Sequence, residues 1–189
     1  SRGMGDDLLT TVLLATESPV VVAPAMNTQM WRHPLVQENI DKLGQTAGYR
    51  IVDPDEGELA CKEVGPGRMP DPPVLVEEVL AAEAPQMLEG KRVVVTAGPT
   101  REHIDPVRLL TNPSSGKMGY AIARAARRFG AEVTLVSGPT DLEVPMGVER
   151  VAVESAKEMH RAVLDRADAA DFICKAAAVC DWRPAESSG

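Results

Sequence analysis

"KRVVVTAGPT" (91–100) and "GKMGYAIARAARRFGAEVTLVSGP" (116–139) decide the fold. The first is a β-branched run broken by Gly98 and Pro99, a strand followed by a turn. The second opens as a helix over 116–130, where small Gly119 and Ala123 permit close packing on a sheet. It continues as a strand, "AEVTLVSGP". Downstream, "VERVAV" (148–153) reads as a short strand. "SAKEMHRAVLDRA" (155–167) reads as a helix opened by Ser155 and Glu158 in capping-box spacing, and "ADFICKAAAV" (170–179) as the next strand. Strands alternating with helices dictate a parallel, doubly wound sheet.

Upstream the alternation is looser. Leu8, Leu9, Val12 and Leu13 are spaced for a helix in 6–16, and "PVVVAPA" (19–25) suits a strand covered on both faces. Val36, Ile40 and Leu43 mark a helix between Pro34 and Gly48. A strand "YRIVDP", a glycine-rich flap over 55–70 and a helix over 72–83 follow. The fold class is therefore α/β, with two three-layer, Rossmann-like domains. The division is set at 1–87 and 88–189, where Pro85 and Gly90 interrupt the pattern and the charge balance changes. Residues 1–88 hold six Lys and Arg against fourteen Asp and Glu; the rest holds fourteen of each. Both domains are expected to be truncated.

Aromatic residues make up 3% of the chain, so the core must be aliphatic. Cys61, Cys174 and Cys180 form no CxxC pair, which speaks against a disulfide framework and fits a reducing cytoplasm. A net charge of −8 disfavours nonspecific nucleic-acid binding. No apolar run approaches the roughly 18 residues of a membrane helix. His33, His103 and His160 have no ligand spacing, so no metal-binding residues are assigned.

Ligands of open parallel sheets sit beyond the carboxyl ends of the strands. Three loops at such ends stand out in the second half: 96–108 with Gly98, 111–119 with Ser114, Ser115, Gly116 and Lys117, and 175–184 with Ala176, Ala177 and Asp181. Ser-Ser-Gly before a helix is either a cap and turn or an anion site. It matches neither GxxxxGK[ST] nor GxGxxG. "LVSGP" also lacks the acidic residue that holds an adenosine ribose, which favours a mononucleotide triphosphate or another phosphorylated ligand over a dinucleotide. In the first half, Asn27 follows an apolar strand, and reads either as a turn residue or as a crevice residue. Cys61 is either inert or reactive on its flap, and Arg68 either solvated or an anion contact.

"PAMNTQMW", "GELACKEVGPGRM", "TAGPTREHIDPVR", "TNPSSGKMGYAIA" and "AAAVCDWRP" stand in the order found in bacterial bifunctional coenzyme A biosynthesis proteins, and the chain resembles that family along its length. The resemblance implies a decarboxylase part followed by a ligase part. In the ligase, CTP with Mg²⁺ activates phosphopantothenate as an acyl-cytidylate, which cysteine then converts to an amide. Asn112 resembles the residue holding the acid and its cytidylate. Ser114, Ser115, Gly116 and Lys117 resemble the phosphate loop, and Lys175, Ala176, Ala177 and Asp181 the nucleotide segment. In the decarboxylase, FMN oxidises the cysteinyl thiol of phosphopantothenoylcysteine. Cys61 resembles the proton donor of the last stage, and Met26, Asn27 and Arg68 fall in the substrate and FMN segments.

Lys62 and Cys180 depart from the small residues common in the family. The family's flavin-side histidine and lysine-rich loop are expected outside residues 1–189, so the chain alone is expected to be inactive. Homo-oligomeric assembly is implied by resemblance alone. Alternatives from other classes are an NAD(P)-binding Rossmann oxidoreductase and a non-catalytic flavoprotein-like regulatory subunit.

Overall fold

The computed structural model describes residues 2–59 and 62–184. The chain divides into two compact units, 1–84 and 85–189. In the first, α1 (Leu8–Ala15) starts at Asp7, whose carboxylate accepts from the Thr10 amide in a capping box. β1 (Val20–Val22) is followed by α2 (Thr28–Trp31) and α3 (Pro34–Gly44), then β2 (Tyr49–Ile51). β1 and β2 pair in parallel, from Val20 opposite Tyr49 to Val22 opposite Ile51. α3 packs beside β2, and α4 (Pro72–Glu83) lies against β1. Buried Glu78 of α4 pairs with Arg50 of β2, so an ion pair fastens that helix to the strands.

The described residues within 55–70 are largely strand rather than loop. β3 (Asp55–Glu58) and β4 (Val64–Arg68) form an antiparallel hairpin with a bulge between Asp55 and Glu56. Glycine and proline are tolerated because a two-stranded ribbon has an open edge for a residue lacking an N–H, and Pro66 sits opposite Glu56.

The second unit carries the parallel sheet. β5 (Arg92–Ala97), β8 (Glu132–Ser137), β9 (Val148–Ala152) and β10 (Phe172–Lys175) are ordered β10-β5-β8-β9, every pair parallel. α5 (Lys117–Arg128) and α6 (Ala156–Ala167) cover opposite faces. Strand alternation decides which residues meet which helix. Val93, Val95 and Ala97 of β5, with Val133 and Leu135 of β8, pack against Tyr120, Ala123 and Ala126 of α5. Val94 and Val136 point the other way, to Met159 and Ala162 of α6. Truncating fully buried Leu135 to alanine removes contacts worth about 2–5 kcal/mol.

Two features were not visible as periodicity. Between β5 and α5 the chain makes a second hairpin, β6 (Arg101–His103) with β7 (Leu109–Thr111). Three-residue strands carry too little alternation to be read from sequence. α2 is likewise a single turn, shorter than any sequence window.

The α5 interface depends on a missing side chain. A Cβ at Gly119 would lie 2.5 Å from Ala97 Cβ and 2.9 Å from the Thr96 carbonyl oxygen. Gly119→Ala should therefore destabilise the second unit by roughly 1–3 kcal/mol through overpacking. Chemical denaturation measures this, and an unchanged midpoint would remove the close approach as a constraint.

Candidate functional sites at the strand ends

Each unit holds its own hollow. In the first, a cavity of about 390 Å³ is lined by Ala25, Met26, Asn27, Glu58, Leu59, Gly67, Arg68 and Met69. Its size lies in the range of small-molecule sites, about 300–1,000 Å³. Met26 and Asn27 meet Arg68, distant from them in sequence, here. Asn27 begins α2: its Oδ1 accepts from the Gln29 amide at 2.8 Å, and its Nδ2 donates to Glu63 Oε2 at 2.8 Å. Gly67 has φ +132°, and a Cβ there would stand 2.1 Å from the Met26 carbonyl oxygen. Only glycine lets β4 pass this close to the Met26–Asn27 backbone. The Arg68 guanidinium lies 3.4 Å from both Asp55 and Asp71, exposed pairs of small energetic weight. Cys61, the proposed donor on the flap, lies outside the described residues. Glu58 and Leu59, which stand in the "GELACKEVGPGRM" stretch without an assigned role there, also line the hollow.

The second hollow, about 460 Å³, opens beyond the carboxyl ends of β5 and β8. Asn112, Ser114 and Ser115 line it, with Pro99, Arg101, Thr111, Pro113 and residues 139–142. It sits beside the switch point of the strand order, where β8 lies on one side of β5 and β10 on the other. Gly98 and Gly116 touch back to back: a Cβ on Gly116 would meet Thr140 Cγ2 at 2.8 Å and the Gly98 Cα at 3.3 Å. Gly116 caps α5 with φ +75° and no side-chain hydrogen bond. The first intrahelical bond runs from the Tyr120 amide to the Gly116 carbonyl, so the amides of 117–119 have no acceptor within the helix.

The 176–180 segment continues β10 alongside 98–100. Ala176 and Ala177 donate to Thr96 Oγ1 at 3.2 and 3.3 Å, and Ala178 donates to the Gly98 carbonyl at 2.9 Å. Cys180 donates its amide to Thr100 Oγ1 at 2.9 Å. The amides of Ala176, Ala177, Ala178 and Cys180 are thus engaged within the protein. Asn112 locks the two loops together, its Nδ2 donating to the carbonyls of Ala178 at 3.3 Å and Val179 at 3.1 Å. With both amide protons engaged, Asn112 offers a ligand its carbonyl oxygen. Lys117, Lys175 and Asp181 are exposed and do not line this hollow. No group of three or more metal-ligating side chains occurs among the described residues.

Around the hollow, a buried hydroxyl chain fixes the 137–140 turn. Thr140 Oγ1 donates to Tyr120 Oη at 3.0 Å, and Ser137 Oγ donates to the Gly138 carbonyl at 2.8 Å. The 3.1 Å contact between Tyr120 Oη and Ser137 Oγ therefore uses the tyrosine proton. The 101–111 hairpin is held from outside. Buried Glu102 accepts from the Ala156 amide at 2.7 Å, at the start of α6, and the Arg101 amide donates to the Glu154 carbonyl at 2.7 Å. At the tip, Asp105 accepts from the amides of Val107 and Arg108 at 2.9 and 2.7 Å. These bonds, that to Arg108 first, hold its carboxyl below the ordinary value of 3.8.

Comparison with known proteins gives both units relatives. The family described as DNA/pantothenate metabolism flavoprotein C-terminal domain matches residues 88–189, and the Flavoprotein family matches residues 1–83. The chain is 56% identical over 184 residues to the coenzyme A biosynthesis bifunctional protein CoaBC of Vibrio parahaemolyticus. That alignment covers 97% of this chain and 46% of the relative. Identity to the Bacillus subtilis protein of the same name is 52% over 188 residues, with the same coverage. The chain thus spans about half the length of the curated relatives it matches. Among solved structures, the C-terminal domain of a CoaBC protein superposes with a TM-score of 0.51 at 58% identity, covering 53% of this chain and 51% of that one.

The Asp105 turn has a signed pH dependence. A carboxyl with a depressed folded value stabilises the hairpin above its unfolded value, and that contribution disappears as pH falls through the folded value. In an NMR titration, Asp105 should have its midpoint below 3.8, with the Val107 and Arg108 amides losing protection over the same range. A midpoint at or above 3.8 would contradict the turn geometry.

Proposed function

The chain belongs to the DNA/pantothenate metabolism flavoprotein family, and on that premise we propose that it carries parts of two active sites of coenzyme A biosynthesis. The second unit contributes to phosphopantothenate–cysteine ligation, and the first to phosphopantothenoylcysteine decarboxylation. The 460 Å³ hollow carries this proposal: it joins Asn112 to the Ser114–Ser115 loop, Gly98 and the helix start behind them, at a strand end built for ligands.

In the ligation, a carboxylate oxygen of phosphopantothenate attacks the α-phosphorus of CTP and pyrophosphate leaves. The cysteine amine then attacks the acyl carbon, CMP leaves, and the nitrogen loses a proton. This chain's part is to hold two anions side by side. Ser114 and Ser115 hydroxyls and the amides at the start of α5 receive phosphate oxygens, while Lys117, Lys175 and Asp181, which do not line the hollow, meet the parts of the nucleotide that reach past it. The carbonyl oxygen of Asn112 accepts from an N–H or O–H of the acid, orienting it. Mg²⁺ arrives with the triphosphate, which keeps most of its coordination in phosphate and water.

The first unit's hollow fits one side of a flavin site: Met26, Leu59 and Met69 give apolar walls for a planar ring, while Asn27 and Arg68 provide polar contacts at its margin. FMN, when bound, supplies the oxidation of the substrate's thiol that makes loss of carbon dioxide easy. Asn27 orients the substrate beside it. Cys61 donates the proton that the decarboxylated carbon requires, from a hairpin that closes the site to water. Among the described residues no helix is long and apolar enough to cross a membrane. Homo-oligomeric assembly and a cytoplasmic location belong to the same proposal.

The tests use the intact protein. Asn112→Ala should lower CTP-dependent pyrophosphate release by roughly 10- to 100-fold, the value of a hydrogen bond or two to a charged or reacting group. Unchanged release would remove Asn112 from the site, and binding of NADP but not CTP would overturn the ligase assignment. Cys61→Ser should release carbon dioxide yet form no phosphopantetheine. Normal product formation would show that the proton comes from elsewhere.

A further inference from the structure

We infer that Arg101 is the phosphate-binding cation of the second hollow, a role that rests on the ligase proposal for the same site. Among the described residues lining that hollow, Arg101 carries the only positive charge, and its guanidinium has no ion-pair partner. The surrounding groups are neutral donors and acceptors, Thr111, Asn112, Ser114 and Ser115, with Asp141 the one carboxylate. A phosphorylated ligand placed there would find hydroxyls on several sides but one full countercharge.

The backbone explains why that charge faces the hollow. Side chains alternate along β6, with Arg101 and His103 exposed and Glu102 buried. Glu102 is clamped on the Ala156 amide, and its neighbour's amide on the Glu154 carbonyl. A one-residue slip would bury the guanidinium and expose the carboxylate, so the clamp sets the register. Across the ribbon Arg101 pairs with Thr111, whose hydroxyl donates to the Thr100 carbonyl at 2.8 Å. The cation is thus carried on a braced hairpin and spans the reach to the Asn112–Ser115 loop. A planar guanidinium can grip two phosphate oxygens at once, which a lysine ammonium does as a point charge.

The phosphate belongs either to the acid or to the nucleotide, and titration calorimetry on the intact protein separates them. CTP is compared with cytidine, and phosphopantothenate with pantothenate, for the wild type, Arg101→Gln and Arg101→Lys. Arg101→Gln should weaken one phosphorylated ligand by roughly 10- to 100-fold and leave its unphosphorylated counterpart unchanged; the affected pair identifies the phosphate. Arg101→Lys should recover part of the loss. Because the side chain is exposed, both variants should melt with the wild type. If wild type binds neither phosphorylated ligand, the ligase proposal itself fails. If wild type binds and Arg101→Gln binds both equally well, the ligase proposal stands and Arg101 has no part in it.

Discussion

Three stretches of backbone crowd together at the carboxyl end of β5, and the second unit is organised around that crowding. Gly98, Gly116 and Gly138 leave no room for a side chain. A Cβ on Gly138 would lie 1.7 Å from the Pro99 carbonyl oxygen, and those on Gly98 and Gly116 would each meet Thr140 Cγ2 at 2.8 Å. Their closeness sets the start of α5 directly over the strand end. It also fixes the 137–142 turn as one wall. At Gly138 a substituent would push backbone against backbone, for which no rotamer change compensates, and at Gly98 and Gly116 it would displace the Thr140 methyl.

Much of this was legible beforehand. The run 92–97 and the small residues of α5 announced a helix on a parallel sheet, and the structure has both. Met26, Asn27 and Arg68 came together in one cavity, as did Asn112, Ser114 and Ser115 in another. What escaped was everything set by pairing between short segments. The β6–β7 hairpin has three residues on each side, and its register depends on Glu102 reaching the α6 terminus, a contact between residues 54 apart in sequence. Arg101 lies inside the 96–108 stretch that the sequence marks as a ligand loop, but its facing depends on this pairing, and Thr140 stands in no suggestive local pattern. The 176–178 amides show the opposite case. Small residues did indicate a close approach, but the partner is Thr96 and Gly98 rather than a ligand.

The two units solve the same problem in different ways. In the first, a glycine in a ribbon lets β4 lie on the Met26–Asn27 backbone, so strand pairing and cavity wall are one element. In the second, the wall is a hairpin pinned to a helix terminus and a loop pinned to the end of a neighbouring strand. Asn112 belongs to both fastenings. Its amide protons hold the 178–179 carbonyls, and its position at the end of β7 ties that contact to the hairpin.

The hydroxyl relay behind the hollow has a polarity. Thr140 points its proton to Tyr120, Tyr120 to Ser137, and Ser137 to the Gly138 carbonyl, which has none to return. The relay is therefore one-way, and Thr140 shows the solvent lone pairs alone. A bare oxyanion gains nothing from that rim unless all three protons reverse and the carbonyl is abandoned. A hydroxyl or amine docks there without disturbance, so the rim itself sorts visiting atoms by whether they bring a hydrogen.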